Sequence, residues 1–150
     1  MILASKSDAE VGDKARELLR GFGISHEVVV ASAHRSPNHL KRLVEGSAAK
    51  VFIAIAGLSA ALPGAVAAHT TRPVIGVPVS GKVSLDSLLS VVQMPPGVPV
   101  AAVGLDRGEN AALLAVQILA LGDAGLHAKL RDHKERLEHQ VLEDSKSLGG

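Results

Sequence analysis

A doubly wound parallel α/β sheet with strand order 2-1-3-4-5 is the fold this sequence predicts, and three observations predict it. Short apolar runs alternate with helix-period segments five times along 150 residues. The run Val51–Ile55 is apolar at every position, as in a strand buried on both faces. The chain is 47% hydrophobic yet holds only two Phe and no Tyr or Trp, so its core is built of small aliphatic side chains that suit close strand–helix packing. In this topology the ligand crevice opens at the carboxyl ends of strands 1 and 3, and the loops after strands 1, 2 and 3 lie side by side. No repeat, linker or low-complexity stretch divides residues 1–150, which read as one domain.

The elements follow in order. Met1–Ala4 is strand 1. Ser7 and Glu10 have capping-box spacing, and Val11, Ala15, Leu18, Leu19 and Phe22 then recur on one helical face until Gly21 and Gly23. His26–Val30 is strand 2. Ser36 and Pro37 read as an N-cap with proline at the first helical position, opening a helix that carries Leu40, Leu43 and Val44. After strand 3, the turn Ala56–Gly64 leads into a short helix ending near Thr71. Pro73–Pro78 is strand 4, Leu85–Gln93 a helix and Pro99–Leu105 strand 5. The helix Asn110–Leu121 has almost no polar face, so it needs cover on all sides, from the last helix or from another subunit. A charged helix over about 123–144 follows, with a frayed Ser-Lys-Ser-Leu-Gly-Gly tail.

Composition removes several function classes. A net charge of +1 gives no global field to draw nucleic acid or an acidic membrane, and the lack of aromatics removes the stacking platform of single-strand binders. Without cysteine there is no disulfide, thiolate nucleophile or Cys-ligated zinc. No leader pattern or bilayer-length apolar run is present, since Ala111–Leu121 is too short and broken by Gln117; the expectation is a cytoplasmic protein.

Three loops carry the chemistry. Ala4-Ser5-Lys6-Ser7-Asp8 offers hydroxyls and amides at a helix start, a seat for phosphate, although a capping serine alone explains it equally well. It is no P-loop, because the glycine spacing and the Gly-Lys-Ser/Thr ending are missing. Ala31-Ser32-Ala33-His34-Arg35-Ser36-Pro37 sets a side chain that trades protons near neutrality beside a two-pronged anion clamp, with small residues leaving room for a ligand. Ala56–Gly64 has no ionisable group and forms a dry wall suited to a flat heterocycle or a small apolar molecule, or simply a tight turn chosen for packing. No one loop is specific. Their convergence on one crevice is.

At these residues the chain resembles the aminoimidazole ribonucleotide carboxylase family, whose bacterial members are N5-carboxyaminoimidazole ribonucleotide mutases. The family's Gly-Ser-x-Ser-Asp loop stands as Ala4–Asp8, its Ser-Ala-His-Arg-Thr-Pro loop as Ser32–Pro37, and its glycine-rich Leu-Pro-Gly loop as Ala56–Gly64. Ser87–Pro95 and Asn110–Ala115 match as well, so the likeness runs the length of the chain. The resemblance implies a three-layer, flavodoxin-like α/β sandwich assembled as an octamer, with no metal or organic cofactor, forming 4-carboxy-5-aminoimidazole ribonucleotide in purine biosynthesis. It implies that His34 is the general acid/base, that Ser5 and Asp8 hold the ribose-phosphate end, that Ser7 and Ser32 also bind substrate, and that Arg35 binds phosphate. The backbone at Gly57, Ser59, Ala60 and Leu62 would then face the imidazole and the carbon dioxide passing between its atoms.

The sequence departs from the family at Ala4, where glycine is usual, and the first strand is shorter by a few residues, which leaves room for a displaced first loop. Many bacterial mutases carry histidine at the place of Ala61, and direct carboxylases tend to have Ser and Ala at the places of Ser59 and Ala61, whereas Gln93-Met94-Pro95 is mutase-like. Mutase and carboxylase therefore both stay open. So do two rivals: a related nicotinate-mononucleotide carboxylase and a non-catalytic flavodoxin-like nucleotide-binding module. Of the other histidines, only His69 is kept as a second candidate; Asp106–Glu109 reads as a solvated turn, and Lys41 and Arg42 as surface.

Overall fold

The computed structural model describes residues 1–149. Phe52–Ala56 (β3) and Val74–Pro78 (β4) form the centre of the sheet because neither offers water a polar side chain, and every residue of both is buried. They run parallel, in register from Phe52 opposite Val74 to Ala56 opposite Pro78. Ile2–Leu3 (β1) flanks β3, and Val29–Val30 (β2) and Ala101–Ala102 (β5) are the edges. The order is 2-1-3-4-5 and all pairs are parallel, as the alternation predicts.

Ala9–Phe22 (α1) and Gly108–Ala120 (α5) cover one face; Pro37–Gly46 (α2), Leu62–Ala67 (α3) and Ser84–Val92 (α4) cover the other. Two apolar clusters result. Ile53 and Ile55 of β3 point to the α1/α5 side with Val11, Leu19, Phe22 and Val116, while Phe52 and Ala54 point to the α2/α3 side with Leu40, Val44 and Val66. This is the period-two alternation of a strand covered on both faces. Ala124–Leu148 (α6) begins at Asp123, whose carboxylate accepts from the Leu126 N–H, and lays Leu126 and Leu130 over the first cluster. Among the described residues no helix is long and apolar enough to cross a membrane.

Several boundaries differ from the sequence reading. The edge strands are two residues each rather than His26–Val30 and Pro99–Leu105: with a partner on one side only, Val30 is 52% exposed and both alanines of β5 face solvent. The capping box belongs not to Ser7 and Glu10 but to Ser5 and Asp8, around a 3-10 turn at Lys6–Asp8 that precedes α1. Helix α6 runs to Leu148, past the expected end near Asp144, and takes in most of the tail read as frayed; Gly150 lies outside the described residues. Of Asp106–Glu109, read as a solvated turn, Asp106 lies in a turn and Arg107 is exposed, but Gly108 and Glu109 already belong to α5. Gly108 is buried against α1, where a Cβ would fall on the Val11 carbonyl oxygen.

Candidate active site

Because all five strands are parallel and β1 lies between β2 and β3, the chain leaves all three strands at one edge of the sheet. The ladder continues one residue beyond the strands there: Ala4 N–H donates to the Ile55 carbonyl (2.9 Å) and Ala31 N–H to that of Leu3 (3.0 Å). The three loops singled out by their chemistry therefore start from adjacent points.

The first loop is organised around Asp8. Its carboxylate accepts from the Ser5 N–H at 2.9 Å and from the Ser7 hydroxyl at 3.4 Å, while Ser5 Oγ accepts from the Ser7 N–H at 3.3 Å. Asp8 is buried, and burial pushes its carboxyl above the ordinary value of 3.8; the two hydrogen bonds and the Arg35 charge pull against that rise. Asp8 thus shapes the turn, in which Ser7 is exposed and Ser5 half-buried.

The second loop is stapled by its serines. Ser36 Oγ accepts from the Ser32 N–H (3.0 Å) and donates to the Ser32 carbonyl (3.2 Å), and Ser32 Oγ accepts from the Arg35 N–H (3.2 Å) and Nε (3.4 Å). Ser36 precedes Pro37 as the sequence predicts, but its hydroxyl closes the loop instead of capping a helix amide. The staple presents His34 and Arg35 outward, both exposed. Arg35 then bridges to the first loop: its Nη2 donates to the Ala4 carbonyl at 3.1 Å. This contact was invisible in the sequence because any residue at position 4 supplies the same acceptor, which also removes one reason for that position to be glycine.

In the third loop Gly57 lies beside the Val79 carbonyl and Ala61 N–H donates to the Ser59 carbonyl at 2.7 Å. Leu58 and Ser59 are exposed and Gly57 half-buried, but Ala60 and Leu62 are 0% and 1% exposed, packed in the α2/α3 cluster. The accessible part of the wall is Gly57–Ser59, with Leu58, which the sequence reading passed over, 71% exposed. His69 follows α3, with its N–H donating to the Val66 carbonyl at 3.0 Å. Two concavities lie elsewhere, about 720 Å³ between α1 and α6 and about 740 Å³ around Met1, Lys50 and Pro73; neither includes a residue of the three loops. In one chain the site is an open shelf: a serine-lined seat, a guanidinium tied to it, an exposed imidazole and a short uncharged wall.

Comparison with known proteins agrees with this fold. The family model for AIR carboxylase matches residues 1–140. An N5-carboxyaminoimidazole ribonucleotide mutase of Methanocaldococcus jannaschii is 55% identical over 142 residues, covering 94% of this chain and 90% of the relative. A phosphoribosylaminoimidazole carboxylase of Saccharomyces cerevisiae is 42% identical over 153 residues, covering 99% of this chain but 27% of the yeast protein. The crystal structure of Treponema denticola PurE superposes with a TM-score of 0.87 at 29% identity, covering 98% of this chain and 95% of that one. On its sequence, its strand order and its matched relatives, this chain belongs to the AIR carboxylase family.

Proposed function

We propose that the chain moves the carboxylate of N5-carboxyaminoimidazole ribonucleotide to ring carbon C4, giving 4-carboxy-5-aminoimidazole ribonucleotide for purine biosynthesis. The observation that carries this is the Arg35 bridge: a guanidinium held by the Ala4 carbonyl stands over the seat of Ser5 and Ser7, with His34 next to it in sequence. A phosphate on that seat accepts from Ser5, Ser7 and the free prongs of Arg35 and sets the imidazole ring beside His34 and Gly57–Ser59. The ring is an enamine whose C4 attacks carbon dioxide unaided, so the protein manages protons and retains the gas, and the reading calls for no cofactor.

His34 as imidazolium protonates the N5-carbamate, and the N–C bond breaks to release carbon dioxide against the uncharged wall. C4 forms the new bond, and neutral His34 removes the C4 proton, which restores both the aromatic ring and the imidazolium. Such proton transfer contributes about 10²–10⁴-fold, and alignment of the gas with C4 about 7–11 kcal/mol. A second reading, direct carboxylation of aminoimidazole ribonucleotide, is favoured by Ser59 and Ala61 and by the likeness to the yeast carboxylase. The enzyme works as a homo-oligomer, an octamer by resemblance, since the shelf of one chain is too open to retain a gas. The proposed setting is the cytosol, in keeping with a chain that has no cysteine.

Supplying N5-carboxyaminoimidazole ribonucleotide alone, or aminoimidazole ribonucleotide with bicarbonate, and following the 4-carboxy product separates the two chemistries. His34→Asn retains nucleotide binding and loses about 10²-fold or more in turnover; a variant turning over at the parent's rate refutes the role of His34.

A further inference from the structure

A fourth loop leaves the sheet beside the uncharged wall. Val79, the residue after β4, extends the ladder: its N–H donates to the Ala56 carbonyl at 2.9 Å, and its own carbonyl lies beside Gly57. Ser80–Val83, which follows, is exposed throughout, yet it is anchored at both ends. Asp106, after β5, accepts the Ser80 N–H on Oδ1 at 2.7 Å and donates its own N–H to the Pro78 carbonyl at 2.9 Å. It does so with a φ of 60°, in the left-handed region, the one residue other than glycine there among the described residues. At the far end Ser84 Oγ accepts from the Gly81 N–H (3.4 Å) and donates to the Gly81 carbonyl (3.2 Å).

Between those anchors stands Lys82, the only ionisable residue from Val79 to Leu85, and among the described residues it forms no ion pair. Neighbouring strands lie about 4.8 Å apart, so the exits of β2, β1, β3 and β4 form a row about 14 Å long. Along it come Arg35, the seat of Ser5 and Ser7, the wall Gly57–Ser59 and the Lys82 loop, in that order. A nucleotide with its phosphate on the seat and its ring against the wall turns the substituents of that ring towards the fourth loop. The substituent that distinguishes substrate and product from aminoimidazole ribonucleotide is a carboxylate, and the cation of that loop is Lys82.

We infer that Lys82 is a second anion subsite of the crevice, which holds the migrating carboxylate as the N5-carbamate of the substrate and as the C4 carboxylate of the product, and that Asp106 positions the loop that carries it. This subsite rests on the function proposed above. The ammonium stays charged throughout and exchanges no proton. It pairs with the carbamate before the N–C bond breaks, has no charge to hold while the group is carbon dioxide, and pairs again once the C4 carboxylate has formed.

Aminoimidazole ribonucleotide has the phosphate and ring but no carboxylate, which makes it the control. In calorimetric titrations Lys82→Met binds 4-carboxy-5-aminoimidazole ribonucleotide about tenfold or more weakly than the parent does, the scale of a lost charged hydrogen bond. It binds aminoimidazole ribonucleotide as the parent does. Lys82→Arg keeps the charge and most of the affinity. Asp106→Gly accepts the left-handed backbone but lacks the carboxylate, and it repeats the selective loss; Asp106→Asn, with an oxygen left for the Ser80 N–H, does not. Equal weakening of both nucleotides by Lys82→Met, or weakening of neither, overturns the subsite, and the same result with Asp106→Gly overturns the positioning role. The 4-carboxy product assay on the parent keeps the failures apart: a parent that turns over beside an unselective Lys82→Met sinks only the subsite, and a parent that binds neither nucleotide sinks the proposed function with it.

Discussion

Asp8 is a carboxylate whose surroundings work against its charge. Since burial raises its folded pKa above 3.8, the folded chain holds this proton more tightly than the unfolded one, and the contribution to stability is lost as pH rises through the raised value. Asp8→Asn keeps a side-chain oxygen for the Ser5 N–H and removes the charge. Its melting temperature relative to the parent is expected to rise between pH 4 and pH 8; a parent that gains on the variant over that range contradicts the assignment. Gly108 is a second position where one atom decides. Gly108→Ala drives a methyl into the Val11 carbonyl, and overpacking at a backbone contact costs about 1–3 kcal/mol, which urea denaturation measures. His34 and Arg35 were legible in the sequence because their types carry chemistry wherever they stand. The Ala4 carbonyl that holds Arg35 was not, since a backbone acceptor leaves no trace in residue identity.

Among the elements, α2 is held by a residue that nothing in the sequence marked. Arg72, after α3, donates to the carbonyls of Ser47 (2.6 Å), Ala49 (2.7 Å) and Val44 (3.1 Å) and to Thr70 Oγ1 (3.1 Å), with its guanidinium 5.0 Å from the centre of the Phe52 ring. It closes the carboxyl end of the helix whose other end carries the His34 loop. Arg72→Met is expected to lose about 2–3 kcal/mol of stability, as for hydrogen bonds to a charged donor, visible as a lower midpoint in urea; an unchanged midpoint shows the clamp to be dispensable. The central strands were legible because a five-residue run buried on both faces has no polar position. The edge strands were misjudged in length because apolarity does not reveal which residues find a neighbour: Val28 and Val30 are as β-prone as Val74, yet 36% and 52% exposed.

For the whole molecule, alternation and handedness left few ways to order five parallel strands, so topology and the adjacency of the three loops followed from sequence. Which loop residues are exposed did not. Ala60 and Leu62 belong to a core whose boundary depends on how α3 settles against α2, a tertiary fact that spacing does not encode. The core itself is small-residue and tight, so Ile75→Ala, at 0% exposure in β4, is expected to cost about 2–5 kcal/mol in one cooperative unfolding step. A separate early transition shows that the two faces of the sheet unfold independently.

Among the described residues β2 is in register with β1 at two positions, Ile2 with Val29 and Leu3 with Val30, and the seat and its guanidinium stand on opposite sides of that seam. An anion gripped from both sides acts as a suture. At a hundred times its dissociation constant it adds about 2.7 kcal/mol against parting of the strands. Deuterium uptake at the Val29 and Ala31 amides then slows about a hundredfold with nucleotide bound, while amides buried between β3 and β4 keep their rates.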